Sequence, residues 1–287
     1  MQLPTFANTS KNMIMKYLVI IIIVSGTIIF TSCTGGGNDK ISDVDTNVAK
    51  LATRNIAFTI VAQYPHDTSA FTEGLQVYKG KLYEGTGMEH ESTLRISDLK
   101  TGKVEKKHFY TDPKIFGEGI NVFKGKIYQL TWKNHIVFVY DEKNIDQPVK
   151  TLTWPYEGWG MTNNGTNLII SDGSANLYFV NPDDFKVKST IAVTDNSGPI
   201  PQLNELEYID GYLLANVWGS NYILKIDPSS GHVIGKVDFG ELRDKYFPNQ
   251  IIPERTDVLN GIAYDSATKK IYITGKRWPM LFEVSLN

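Results

Sequence analysis

A single cysteine, Cys33, is present among 287 residues. One thiol can neither close an internal disulfide nor supply a cysteine-rich zinc site. Charge of one sign is also missing. The 29 Lys+Arg and 31 Asp+Glu residues leave a formal charge of −2, which excludes a broad basic face for nucleic acid. Histidine is sparse: His66, His90, His108, His135 and His232 form no ligand pair at helix or hairpin spacing, so no metal site of nitrogen or sulfur ligands is expected. Gly85-Thr86-Gly87 lacks the context of a dinucleotide-binding loop and reads as a turn at a strand end. What remains is a composition 41% hydrophobic and 21% charged, that of a folded domain. Its 24 glycines and 11% aromatic content favour turns and strands.

One long apolar run occurs, Tyr17 to Val24 continuing to Phe30, preceded by Lys11 and Lys16. A positive segment followed by a run short for a membrane span is the pattern of a signal peptide. The run ends in Phe30-Thr31-Ser32-Cys33. Small residues before a lone cysteine resemble a bacterial lipoprotein cleavage site, with Cys33 becoming the lipidated N-terminus. An uncleaved anchor helix is the alternative, and either places the domain outside the cytoplasm, tethered to a membrane. Residues 1–33 therefore read as signal peptide and 34–54, Gly-rich then polar, as a flexible linker.

From residue 55 a β-hairpin unit recurs. Phe71-Thr72-Glu73-Gly74-Leu75 leads to Lys79-Gly80-Lys81-Leu82-Tyr83, and Phe116-Gly117-Glu118-Gly119-Ile120 leads to Lys124-Gly125-Lys126-Ile127-Tyr128. Each is a strand, a Gly-containing two-residue turn and a return strand. Weaker copies begin at Gly158-Trp159-Gly160, Asn204-Glu205-Leu206 and Asn260-Gly261-Ile262. A hairpin recurring about every 40–50 residues, each followed by a second strand pair, is the mark of propeller blades. Residues 55–287 are expected to form an all-β, five-bladed β-propeller. The strand around Phe58–Gln63 is expected to pair with Leu281–Ser285 and close the ring, and Glu241–Thr256 to be an insertion. A two-sheet sandwich is the bland alternative.

The first strand of each blade lines the axis, so equivalent residues converge on one channel. The aligned set is Glu73, Glu118, Trp159, Asn204 and Asn260, polar or aromatic in every copy. Trp132 follows Glu118 by the same interval at which Trp218 follows Asn204, and Lys276 ends the last hairpin. These residues, with Phe71 and Phe116, predict an apolar cleft holding a few polar groups, the anatomy of a small-ligand site. Ordered water in the channel and plain packing of the tryptophans are the structural alternatives.

The motifs Phe71-Thr72-Glu73-Gly74-Leu75, Phe116-Gly117-Glu118-Gly119, Leu130-Thr131-Trp132-Lys133, Glu157-Gly158-Trp159-Gly160, Asn204-Glu205-Leu206-Glu207, Asn216-Val217-Trp218 and Leu259-Asn260-Gly261-Ile262-Ala263 together resemble the glutamine cyclotransferase family, the plant and bacterial type of glutaminyl-peptide cyclotransferase. The resemblance implies cyclisation of an N-terminal glutamine of a peptide or protein to pyroglutamate with release of ammonia, without a required cofactor, although a structural calcium ion is compatible with it. The family's key acid matches Glu118. Its other cavity residues match Phe71, Glu73, Phe116, Trp132, Trp159, Asn204, Trp218 and Lys276. Plant members usually have Gln where this chain has Glu73, and a second carboxylate there is expected to raise the pKa of Glu118. Expected roles are proton shuttling for Glu118, substrate polarisation for Asn204 and Lys276, and substrate binding for the rest with Asn260. Two other functions stay open: a peptide-binding lipoprotein without turnover, and a Ca²⁺-dependent propeller hydrolase using Glu118, Asn204 and Asn260 as oxygen ligands. The expected state is an exported, lipid-anchored monomer.

Overall fold

Lys79-Gly80, Lys124-Gly125 and Asp210-Gly211 each place two successive residues at positive φ. That backbone twist matches the twist of flanking strands and closes tight hairpins. The first hairpin is Thr72–Tyr78 with Lys81–Thr86, the second Gly117–Phe123 with Lys126–Thr131, and the fourth Leu203–Ile209 with Tyr212–Val217. The third, Met161–Asn163 with Leu168–Ser171, and the fifth, Leu259–Asp265 with Lys270–Gly275, use longer turns. The computed structural model describes residues 53–248 and 258–287. Cys33, the expected signal peptide and most of the linker lie outside the described residues.

Two outer strands complete each sheet, giving five antiparallel meanders. The inner strands neighbour one another in sequence order, and Leu259–Asp265 returns to Thr72–Tyr78. This is the five-bladed propeller predicted by the hairpin repeat. Phe58–Pro65 supplies the outer strand of the fifth blade, antiparallel to Met280–Leu286 with Phe58 opposite Leu286. The N-terminal part of the domain thus clasps its C-terminal end, as the pattern predicts, and no blade is left unfinished. Arg54–Asn55, at the end of the expected linker, already pairs in parallel with Val233–Asp238 of the fourth blade. The expected insertion contains a short helix, Leu242–Tyr246, whose Leu242 and nearby Phe247 are buried. Residues 249–257 lie outside the described residues.

Apolar side chains from facing sheets fill the gaps between blades. Leu130, Val137, Met161 and Ile170 join the second and third blades, for example, and Val237, Phe239, Ile262 and Phe282 join the fourth and fifth. Near the axis the inner strands fan apart, and side chains satisfy their free amides. Glu205 is fully buried. One of its oxygens accepts from Leu75 N at 3.2 Å and the other from Ile262 N at 2.7 Å, which links the fourth blade to the first and fifth. Glu207 accepts from Tyr264 N at 3.1 Å, and burial pushes its pKa up to about 8. Glu205→Leu keeps the volume but orphans two buried N–H groups. It is expected to destabilise the fold by about 3 kcal/mol or more, read as a lower urea midpoint; an unchanged midpoint would show that the carboxylate is no cross-tie.

Candidate active site

A β-bulge marks the start of four inner strands. The register slips between Thr72 and Gly74, Gly117 and Ile120, Leu203 and Leu206, and Leu259 and Ile262. Each slip brackets one of the aligned residues Glu73, Glu118, Asn204 and Asn260. An extra residue at a strand end locally re-aims side chains, a common device beside active sites. The bulges therefore gather polar groups at one end of the channel, where the second strands also end in Trp132, Trp218 and Lys276.

A cavity of about 480 Å³ opens there, lined by Phe71, Glu73, Met88, Phe116, Glu118, Trp132, Trp159, Gln202, Asn204, Trp218 and Lys276. Nine of these are residues that the repeat and the family resemblance single out. Asn260 belongs to the same ring but not to the lining. Its amide nitrogen donates to Thr72 O at 2.9 Å and to Glu73 Oε2 at 3.3 Å, so it holds Glu73 from behind. Below it, Thr72 Oγ1 donates to Glu84 Oε1 at 2.7 Å, and the same oxygen lies 3.0 Å from Nε2 of buried His66. Met88 and Gln202 carry no signal in the sequence, because both sit in connections outside the hairpin repeat.

The polar centre is an acid pair with one cation. Lys276 Nζ lies 2.6 Å from Glu73 Oε1, and both side chains are almost wholly buried. The ammonium also sits 4.5 Å above the centre of the Phe71 ring, a cation–π contact that helps to offset its desolvation. Among the described residues Glu118 has no such counter-ion of its own. Burial, then the charge of Glu73, pushes its carboxyl well above the usual carboxylate range, while Lys276 pulls it back only in part. Of the two acids, Glu118 is the one pushed toward its protonated form, while Glu73 is the one that holds the ammonium. Glu118 Oε2 and Asn204 Oδ1 are buried and meet no hydrogen-bond partner among the described residues. Leaving such atoms unmet costs free energy, so their place in a cavity wall points to a ligand that meets them.

Aromatic rings enclose this centre. Phe71 meets Phe116 edge to face at 6.3 Å, Phe116 meets Trp132 at 5.5 Å, and Trp159 meets Trp218 at 6.3 Å. Glycines make room for them. A Cβ on Gly87 would lie 2.3 Å from the Phe116 ring, and one on Gly173, at φ +78°, would lie 2.6 Å from Trp159. Gly87 is thus the spacer for the aromatic wall rather than a mere turn residue. Gly87→Ala is expected to push Phe116 into the cavity and raise KM for the site's ligand about tenfold or more, because a side-chain shift near 1 Å suffices to misplace a bound group. Titration of variant against wild type checks this.

A five-bladed propeller with a buried carboxyl of raised pKa, an ion-paired carboxylate and an aromatic cage defines a class: proteins that take a small polar group deep into an apolar cavity beside a potential proton donor. The sequence profile of the glutamine cyclotransferase family matches residues 38–286, and the chain belongs to that family. A glutaminyl-peptide cyclotransferase of Arabidopsis thaliana is 35% identical over 235 residues, covering 79% of this chain and 71% of that protein. The crystal structure of the Myxococcus xanthus glutaminyl cyclase matches with a TM-score of 0.74 and 35% identity, over 82% of this chain and 98% of that one.

Proposed function

We propose that this protein cyclises the N-terminal glutamine of peptides and proteins to pyroglutamate and releases ammonia. Family membership sets the reaction class. The observation that carries it to these residues is the buried acid Glu118, whose pKa burial and Glu73 raise, and whose Oε2 meets no partner among the described residues.

The chemistry follows from the groups at hand. The neutral α-amine attacks the γ-amide carbon, forming the ring C–N bond and a tetrahedral oxyanion. Glu118 gives its proton to the amide nitrogen, the C–N bond to that nitrogen breaks, and ammonia leaves. The attacking nitrogen, now carrying an extra proton, returns it to Glu118, so the acid ends each turnover as it began. Such shuttling is worth about 10²–10⁴-fold. Asn204 Oδ1 accepts from the substrate's amide N–H, and the Lys276 ammonium stabilises the oxyanion. The aromatic walls hold the side chain folded back on the amine and exclude water, which reduces the entropic barrier.

No metal is needed in this scheme: the cation beside Glu73 is Lys276 Nζ. Among the described residues no group of three or more His, Cys, Asp or Glu side chains is arranged to hold an ion. The lipoprotein signature at Phe30-Thr31-Ser32-Cys33 supports export and attachment through lipid on Cys33, with the propeller acting as a monomer. The direct test is ammonia release from a Gln-initiated dipeptide by purified residues 34–287, with and without a chelator. Release unaffected by chelation is expected. Binding without release would leave a peptide-binding propeller, and loss on chelation would favour the calcium-dependent alternative.

A further inference from the structure

Glu157 lies outside the hairpin repeat and does not line the cavity, yet it touches two of its walls. Trp132 Nε1 donates to Glu157 Oε2 at 2.7 Å, and Trp159 Nε1 donates to the same oxygen at 3.0 Å. The two indoles come from different blades. Trp132 follows the second strand of the second blade, and Trp159 precedes the inner strand of the third. We propose that Glu157 is a positioning residue for the cyclisation, a single carboxylate oxygen that locks the two tryptophan walls at a fixed spacing.

The chemistry of the contact suits that task. Indole N–H is a donor with no acceptor alternative, so it needs a partner to define the ring's orientation. A charged acceptor makes such bonds shorter and stronger than a neutral one. Lys133 adds to the arrangement: its ammonium lies 3.8 Å from Glu157 Oε1 and 4.0 Å above the Trp132 ring. The clamp is also separable from the fold. Trp132 N bonds to Phe116 O, Gly158 N to Trp132 O and Trp159 N to Ser171 O, all through the backbone. Trp154 Nε1 reaches the backbone carbonyl of Glu157, not its side chain. Removing the carboxylate therefore frees two rings and leaves the loop in place. With the rings free, the substrate side chain is no longer pressed into its reactive conformation, and the loss falls on the chemical step.

The inference rests on the cyclisation reading, and the experiment keeps the two apart. Glu157→Ala and Glu157→Gln are compared with wild type on a Gln-initiated dipeptide, with near-UV circular dichroism and urea unfolding alongside. The expected result for Glu157→Ala is a fall in kcat/KM of about 30-fold, carried by kcat, with altered tryptophan bands and an unchanged unfolding midpoint. Glu157→Gln keeps an amide oxygen in place and is expected to stay within about threefold of wild type. Wild-type kinetics in the alanine variant, equal damage in the glutamine variant, or a loss confined to KM would each overturn the clamp. A wild-type enzyme that releases no ammonia would overturn the cyclisation reading instead, while the tryptophan bands would still report whether Glu157 fixes the rings.

Discussion

Glu118→Gln is expected to lower kcat on a Gln-initiated dipeptide by about 10²–10⁴-fold, the worth of a positioned proton donor and acceptor. The substitution changes almost nothing else. Gln has the same length, and it replaces a carboxyl that burial and the charge of Glu73 already push toward its neutral form. No buried charge is created or stranded, so the unfolding midpoint should stay at the wild-type value. Substrate binding should survive as well, since the aromatic walls, Asn204 and Lys276 are untouched. An amide can donate a hydrogen bond to the leaving nitrogen but cannot transfer the proton. The loss therefore belongs in kcat, with KM close to wild type. Ammonia release at the wild-type rate from a correctly folded variant would remove Glu118 from the mechanism.

Much of this site is legible in the sequence, for a physical reason. A propeller brings equivalent positions of every blade to one axis, so a repeat that carries Glu, Glu, Trp, Asn and Asn at one register is a list of neighbours. Nine lining residues follow from that register, from the strand ends beyond it and from the family motifs. The limits are equally physical. Register places Asn260 in the ring, but its amide turns back onto Thr72 O and Glu73, away from the cavity. Met88, Gln202 and Glu157 lie in connections between strands, where no periodicity links sequence to position. Glu205 and Glu207 stand in plain sight in Asn204-Glu205-Leu206-Glu207, yet what marks them as cross-ties is the set of amides they meet, and those come from other blades. Sequence alone also cannot say which of the two acids has its pKa raised. That depends on Lys276 lying beside Glu73 rather than Glu118.

This asymmetry leads to the second large effect, in which changes at the two ends of the ion pair move the pH profile in opposite directions. In the proposed mechanism, kcat/KM requires a neutral substrate amine and a protonated Glu118. The acid limb therefore follows the α-amine, near 7.7–8.0 in unperturbed peptides, and the alkaline limb follows Glu118. Burial is the main influence raising Glu118, Glu73 raises it further, and Lys276 lowers it. Glu73→Gln removes a raising charge and leaves the ammonium without its counter-ion; both changes lower the pKa of Glu118, so the alkaline limb moves to lower pH. Lys276→Met removes the lowering charge, so the limb moves to higher pH. The lysine variant carries a second signature. It strands the Glu73 carboxylate at 2% exposure, and breaking a buried pair from one side typically costs about 3–5 kcal/mol. The double variant Glu73→Gln/Lys276→Met removes both charges and should recover most of that stability, a coupling that a double-mutant cycle measures directly. Limbs that move the same way in both single variants, or stabilities that simply add, would mean that Glu73 and Lys276 do not act as one unit upon Glu118. Opposed shifts with strong coupling would establish that this ion pair sets the protonation state of the catalytic acid.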